Sequence, residues 1–145
     1  MPKPKQVLVD LIWPKPPDVP RVKLINSFSS PKELGIKAPW YRKFHRVITG
    51  KKEEKIKIIS PYNIFVDEKG KIYVTDTFTR SIHIFDRKSK KYWEIFSIKG
   101  GSFYSPIGVA VDYRERIFVS DSILKKVFVF NKNGKLMFSI GSENF

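Results

Sequence analysis

Hydrophobic positions in residues 61–98 come in four short runs, and polar turns separate the runs. Within residues 72–75 and 81–85, side chains alternate between two faces, as in β-strands that are partly buried. Gly70, in the turn Glu68-Lys69-Gly70, can take the positive φ that such a turn needs. The pattern predicts four antiparallel strands, at residues 63–66, 71–75, 81–85 and 92–98.

The segment at residues 61–85 recurs at residues 106–130, a constant forty-five positions later. A hairpin signal, Asn133-Gly134, precedes the last apolar run of the second copy. Phe96-Ser97-Ile98 matches residues 138–140 only at a shift of forty-two, which predicts three extra residues in the outer hairpin of the first copy. The second copy predicts strands at residues 108–111, 116–120, 126–130 and 135–140.

Repetition at this period is typical of repeat architectures, in which each unit needs neighbours to cover its apolar faces. We therefore predict a mainly β fold: a partial β-propeller of two four-stranded blades, at residues 61–105 and 106–145. A six-bladed ring takes about 250 residues, whereas this chain has 145. The open apolar face of such a fragment predicts association with a second copy or with another chain that supplies the missing blades.

The N-terminal part has a different composition. Residues 1–20 are rich in proline, which predicts an extended arm without a ladder of hydrogen bonds. Residues 21–28 have the pattern of the fourth strand of a blade, which predicts a latch strand. Residues 39–49 show helical spacing of Trp40, Phe44 and Val47, with Gly50 as a stop. We predict one short amphipathic helix there, so that residues 21–60 form a latch strand plus a helix.

The repeated motifs resemble the NHL repeat, the blade unit of many six-bladed propellers. Its pattern is matched by Pro106 to Asp112 as Pro-x-x-Val-x-Val-Asp, by residues 72–76 as Ile-Tyr-Val-x-Asp and by residues 82–85 as Ile-x-Ile-Phe. Thr79 and Leu124 replace the usual loop Asn of the family. The resemblance implies NHL-type blades, covers residues 61–145 and is specific for fold rather than for chemistry.

The order of arm, strand, turn, helix and blades also resembles bacterial extracytoplasmic NHL-repeat proteins, which usually begin with a secretory or lipoprotein signal. Residues 7–13 are too short an apolar run for a signal or a membrane span. The sequence predicts a cytoplasmic protein if Met1 is the native start, and an extracytoplasmic one, periplasmic or membrane-anchored, if a leader has been removed. The absence of cysteine excludes disulfides and thiolate metal sites.

The formal net charge is +14. The excess of basic residues is concentrated before residue 61, which favours anionic partners or simple solubility. Nucleic-acid binding, RNA above all, is the alternative hypothesis. The predicted basic patch consists of Arg42, Lys43, Arg46, Lys51, Lys52 and Lys55.

Four aspartates recur at equivalent strand ends: Asp67, Asp76, Asp112 and Asp121. Asp at such positions accepts hydrogen bonds from backbone N–H groups of the turn, so we predict a structural role. His45 and His83 have no His or Cys neighbour at metal-ligand spacing. We predict no catalytic residue, no metal and no cofactor.

These patterns predict a non-catalytic binding or scaffold protein that acts through protein–protein contacts. The second alternative is a propeller hydrolase or lyase with a metal or a carboxylate or histidine cluster at the ring axis. The predicted partner-binding residues lie in the apolar arm and in the loop after the second strand of each blade: Leu11, Ile12, Trp13, Thr77, Phe78, Arg80, Ile123 and Lys125.

Overall fold

The computed structural model describes residues 11–36, 57–98 and 100–141. The predicted amphipathic helix at residues 39–49 lies outside the described residues. Within them, the chain is mainly β, and the helical element is a single 3₁₀ turn, Pro31–Leu34. No helix in this described part is long and apolar enough to cross a membrane.

Two four-stranded antiparallel sheets form the body of the protein. In each sheet the strands are paired in chain order, as in the blade of a propeller. Sheet one consists of β3 (Pro61–Val66), β4 (Ile72–Asp76), β5 (Ser81–Asp86) and β6 (Lys91–Ile95). Sheet two consists of β9 (Pro106–Val111), β10 (Ile117–Asp121), β11 (Lys126–Phe130) and β12 (Leu136–Ile140). The predicted fold class and the two four-stranded units are confirmed.

Two small hairpins complete the described strands. β1 (Ile12–Trp13) pairs with β2 (Val22–Lys23), and β7 (Ser97–Ile98) pairs with β8 (Gly101–Ser102).

The β1–β2 hairpin corrects two predictions for the N-terminal part. Residues 11–13 do form ladder bonds, because the prolines that follow them lie in the turn and leave these backbone groups free to pair. Residues 21–28 do not form the fourth strand of a blade: Val22–Lys23 pairs locally, and Phe28 turns away to pack edge-on against Phe85, with ring centroids 5.4 Å apart.

The fourth strand of sheet one corrects the predicted change of period. Ile95 lies opposite Ile82, and Ile140 lies opposite Val127, so the shift of forty-five continues into the fourth strand. Phe96-Ser97-Ile98 lies beyond that strand and starts the linker to sheet two. The similar letters at residues 138–140 are therefore not its structural counterpart, and the outer hairpin of sheet one does not hold three extra residues.

The two faces of each sheet follow from the strand register, because directly paired residues share a face. We call the face of sheet one that carries Tyr73, Ile82, Ile84 and Ile95 its front face. Sheet two covers it with its own back face, which carries Val109, Ile117, Val119, Phe128 and Phe130.

Phe103, from the linker, completes this core. It is fully buried, and its ring lies 5.7 Å from that of Phe128 and 5.9 Å from that of Phe130. Each side chain buried in this way stabilises the fold by about 1.5–3 kcal/mol.

The back face of sheet one carries Val74, Phe85 and Tyr92, and it is covered differently. The residues that pack on it come from the N-terminal part of the chain: Phe28, Leu34, Ile36 and Ile58. Gly35, with φ of 70°, ends the 3₁₀ turn and directs Ile36 into this cluster. The N-terminal part thus covers the side of sheet one that faces away from sheet two.

Candidate functional site

The loops that join the second and third strands lie at one end of both sheets. The first loop, residues 77–80, follows β4, and the second, residues 122–125, follows β10. A backbone hydrogen bond ties the start of each loop to the segment that enters the first strand: Thr77 N donates to Ser60 O (3.1 Å), and Ser122 N donates to Ser105 O (3.0 Å). The repeat therefore builds the same end structure twice.

Asp76 and Asp121 hold these loops in place. The carboxylate of Asp76 accepts backbone N–H bonds from Ile59, Ser60, Phe78 and Thr79, at 2.6–3.3 Å. The carboxylate of Asp121 accepts the equivalent four, from Tyr104, Ser105, Ile123 and Leu124, at 2.7–3.0 Å. Both aspartates are buried, and the structure gives them the structural role that the sequence predicts.

The hydrogen bonds also set the acidity of Asp76. Burial alone raises the pKa of this carboxyl, but the N–H donors of Thr79, Ile59, Ser60 and Phe78 outweigh burial and hold the pKa below its usual value. Asp76 is therefore ionised, and its carboxylate oxygens accept hydrogen bonds from the protein's own backbone.

The side chains that these loops present outward are apolar or basic. Phe78 is 69% exposed and its repeat counterpart Ile123 is 61% exposed. Tyr104, 51% exposed, carries the guanidinium of Arg80 over its ring at 5.5 Å from the centroid. Lys125 is the repeat counterpart of Arg80, and both have φ of 53°. We call Phe78, Arg80, Tyr104, Ile123 and Lys125 the loop-end surface.

The charge of this end is positive. Neither loop has a carboxylate, and neither do residues 57–60 and 100–105, which enter the first strands at the same end. The two aspartates beneath the loops are buried and bonded to backbone. The loop-end surface therefore combines exposed apolar groups with the cations of Arg80 and Lys125. The carboxylate of Glu94, in the fourth strand of sheet one, is 19% exposed and accepts a hydrogen bond from Tyr92.

The predicted partner-binding residues separate into two groups. Phe78, Arg80, Ile123 and Lys125 belong to the loop-end surface, while the hydroxyl of Thr77 bonds to Ser60 Oγ at 3.1 Å. The remaining three lie elsewhere: Leu11, Ile12 and Trp13 line an apolar groove with Ile72 and Arg87, at the opposite end of sheet one.

Two further observations complete the comparison with the sequence. The predicted basic patch (Arg42, Lys43, Arg46, Lys51, Lys52 and Lys55) lies outside the described residues. Sequence reasoning misses Tyr104, because nothing in its local pattern shows that Asp121 holds its backbone beside Arg80.

A buried polar network lies below the first loop. His83 Nδ1 is 2.8 Å from the hydroxyl of Tyr92, which donates to Glu94 at 3.0 Å. On the other side of the ring, His83 Nε2 lies 3.4 Å from Ser81 Oγ and 3.5 Å from Asp76 Oδ2. Carboxylates therefore lie on both sides of the ring, because His83 Nδ1 is also 3.8 Å from Glu94 Oε2. The hydroxyl of Tyr92 stands on the Glu94 side, and Asp76 shares Nε2 with Ser81, whereas a catalytic triad leaves that nitrogen to the hydroxyl.

This network is not repeated. Phe128 and Lys126 stand in sheet two where His83 and Ser81 stand in sheet one. Leu136 lies opposite Phe130 as Tyr92 lies opposite Phe85. Among the described residues, no group of three or more His, Cys, Asp or Glu side chains could hold a metal ion.

Known proteins match this chain in structure rather than in sequence. No family model matches the sequence, and no curated protein matches it. Among solved structures, a virginiamycin B lyase from Staphylococcus aureus matches with 18% sequence identity and a TM-score of 0.49. The match covers 59% of this chain and 28% of the lyase chain.

Proposed function

We propose that the protein is a non-catalytic binding or scaffold protein of NHL-type propeller blades, and that it binds a protein partner through the loop-end surface. The observation that carries the proposal is the exposure of Phe78 and Ile123 at equivalent loop positions, beside the stacked pair of Arg80 and Tyr104. Aromatic residues and arginine are the side chains that most often dominate binding energy in protein interfaces.

The chemistry of the surface specifies the partner. Apolar side chains on a rigid loop favour an apolar anchor, and the surrounding cations favour carboxylates in the same segment. The two aspartates fix the loop backbones before binding, so that little ordering remains to oppose association. We infer that the partner segment is acidic and carries at least one large apolar side chain.

The polar network around His83 supports a structural assignment rather than a catalytic one. His83 is 1% exposed and Ser81 is 1% exposed. Tyr92, which bonds to His83, belongs to the apolar cluster on the back face of sheet one.

Selection from a library of random peptides displayed on phage tests this proposal, because random peptides assume nothing about the sequence of the partner. The full chain is the target, and the Arg80→Glu variant is used for counter-selection. We expect enriched peptides to be acidic and to share an apolar anchor. Their affinity, measured by fluorescence polarisation, should fall at least about tenfold with Arg80→Glu, which corresponds to about 1.4 kcal/mol.

Arg87→Glu is the matched control, because it makes the same change of charge at the opposite end of sheet one. It should leave the affinity within about twofold. Enriched peptides without acidic character, or an equal loss with Arg80→Glu and Arg87→Glu, would contradict the proposal.

A labelled single-stranded RNA distinguishes the nucleic-acid hypothesis in the same assay. Neutralisation of phosphates makes such binding fall steeply with added salt. If the chain binds the RNA with this salt dependence and selects no acidic peptide, nucleic-acid binding replaces the proposed function.

A further inference from the structure

A cleft of about 480 Å³ lies between the outer hairpins of the two sheets. Its volume is in the range of sites for small molecules. The β5–β6 hairpin of sheet one and the β11–β12 turn of sheet two form its walls, at the end of the sheets opposite to the loop-end surface. We call it the seam cleft. It is lined by Lys71, Asp86, Ser89, Lys91, Trp93, Lys132 and Asn133.

The strand register brings the lining of sheet one together. Lys91 lies two positions before Trp93, and Asp86 lies opposite Lys91. Lys71 lies two positions before Tyr73, at the start of β4. Since side chains two positions apart in a strand share a face, Lys71, Asp86 and Lys91 extend the front face of sheet one beyond its apolar part.

The wall from sheet two is held against this face by close packing. Gly134 follows Asn133 in the β11–β12 turn, and a Cβ atom at Gly134 would lie 3.1 Å from Cγ1 of Ile95. The backbone of the turn therefore lies directly on the fourth strand of sheet one, which positions Lys132 and Asn133 at the cleft.

The charge of the seam cleft is positive. Its lining has three ammonium groups and one carboxylate, that of Asp86, which leaves an excess of two positive charges. Glu115, next to the cleft, accepts hydrogen bonds from Lys71 at 3.1 Å and from Lys69 at 3.0 Å. The neighbouring residues Lys69 and Glu115 together add no net charge.

The other polar side chains of the lining can donate hydrogen bonds. They are the hydroxyl of Ser89 and the amide of Asn133. The carboxylate of Asp86 accepts a hydrogen bond from the backbone N–H of Ser89 at 3.0 Å, so part of its acceptor capacity is used within the turn. The cleft therefore suits a ligand that is negatively charged and rich in acceptor oxygens.

Trp93 provides a second, independent observation. Its Nε1 is buried, and it is the one buried side-chain nitrogen or oxygen of the described residues without a hydrogen-bond partner. An unpaired buried donor is unfavourable, because the N–H has lost water without a replacement. The repeat counterpart of Trp93 is Phe138, which has a ring and no N–H, so the repeat itself does not require the indole donor.

A ligand oxygen in the seam cleft can pair with this donor. Because Nε1 is buried, the oxygen reaches it only after a neighbouring side chain shifts. Lys91 and Lys132 are both exposed and have flexible stems, so they can move in this way.

We propose that the seam cleft binds a small phosphate monoester. A phosphate monoester carries a charge of about −1.5 to −2 at pH 7 and three acceptor oxygens, which matches the excess of two positive charges and the donors of the lining. Lysine binds phosphate as a point charge. The organic part of the ester occupies the rest of the cleft, which is larger than a phosphate group. The inference does not depend on the proposed function, because the seam cleft and the loop-end surface lie at opposite ends of the sheets.

Calorimetric titration of the full chain with glycerol phosphate tests the proposal. We expect a dissociation constant of roughly 0.05–1 mM, as for a small ligand in an open cleft. Glycerate, which has a carboxylate in place of the phosphate ester, should bind at least about fivefold more weakly, because it brings less charge and fewer acceptors. Inorganic phosphate should also bind more weakly, because it lacks the organic part.

Variants of the lining locate the site. Lys91→Gln and Lys132→Gln should each weaken the binding of glycerol phosphate by about fivefold or more, because each removes a charged donor. Lys88→Gln is the matched control, because Lys88 is exposed in the same turn as Ser89 and lies outside the lining. It should leave the affinity within about twofold. Circular dichroism establishes that each variant is folded.

The indole N–H of Trp93 gives a direct readout. Its signal in a proton–nitrogen correlation spectrum, identified by its loss in Trp93→Phe, should shift as glycerol phosphate is added. Trp93→Phe keeps an aromatic ring and should weaken binding by about threefold or more, because it removes one donor.

Absence of binding up to about 10 mM glycerol phosphate, far above the expected range, would overturn the proposal. So would equal binding of glycerate or of inorganic phosphate, or an equal loss with Lys88→Gln and Lys91→Gln. Binding that leaves the Trp93 signal unmoved would place the phosphate ester outside the seam cleft and would overturn it as well.

Discussion

Asp76 and Asp121 illustrate how single residues determine the geometry of the loop end. Each carboxylate accepts four backbone N–H groups from two separate segments, so one side chain fixes a loop and the entry to the first strand together. The repeated Asp at a strand end is sufficient to predict this role. The stacking of Arg80 on Tyr104 could not be predicted, because it joins the first loop to the segment that enters sheet two, and only the packing of the sheets brings these together.

Replacing Asp121 by alanine should destabilise the fold by about 2–4 kcal/mol, because four backbone N–H groups lose the charged acceptor of their hydrogen bonds. Urea unfolding measures the loss. Asp18→Ala removes an exposed carboxylate and should change the free energy of unfolding by less than about 0.5 kcal/mol. Equal effects of the two substitutions would show that Asp121 does not organise the loop.

The lowered pKa of Asp76 predicts a specific dependence of stability on pH. The stabilisation is fully present above the pKa of the unfolded chain, about 3.9, and it is lost as the pH falls through the lower pKa of the folded protein. The difference in unfolding free energy between the native chain and Asp76→Asn should therefore narrow from pH 7 to pH 3. A difference that is constant or widens in acid would contradict the assignment.

At the scale of elements, the sequence pattern locates all eight strands of the two sheets. It misses where the fourth strand of sheet one ends and how the N-terminal residues pair. Alternation and turn residues define a strand locally, whereas the hydrogen-bond register decides where it ends. This is why the pattern extends the fourth strand to Phe96-Ser97-Ile98 although Ile95 is its last residue. The pattern misses the N-terminal hairpin because proline-rich sequence favours extended backbone, and only the folded chain shows that residues 11–13 and 21–24 meet.

The linker between the sheets should contribute to stability through one residue. Phe103→Ala should cost about 3–5 kcal/mol, because it empties a fully buried site against Phe128 and Phe130. Phe96→Ala removes the same ring from the same linker, where Phe96 is 61% exposed, and should cost less than about 1 kcal/mol. Urea unfolding checks both, and Phe103→Leu provides a milder variant if the alanine variant does not fold. Similar costs for the two phenylalanines would mean that the linker does not join the core.

At the scale of the whole molecule, the repeat gives each sheet a front and a back, and only some of these faces are covered by the described residues. The front of sheet one meets sheet two, the back of sheet one meets the N-terminal part, and the front of sheet two carries exposed Phe138 and Ile140. The sequence predicts that a chain with two blade-like units leaves an apolar face open. It could not show that the exposed apolar side chains of this face lie on the fourth strand, whereas Val129 on the third strand is fully buried, because burial depends on how the folded chain packs.

The same substitution at two equivalent positions tests the central claim most directly. Ile95 and Ile140 are repeat counterparts on the two front faces, 4% and 54% exposed. In urea unfolding, Ile95→Ala should lower the free energy of unfolding by about 2–4 kcal/mol and Ile140→Ala by less than about 1 kcal/mol. Equal losses at the two positions would contradict the assignment of Ile95 to a covered site and Ile140 to an exposed one.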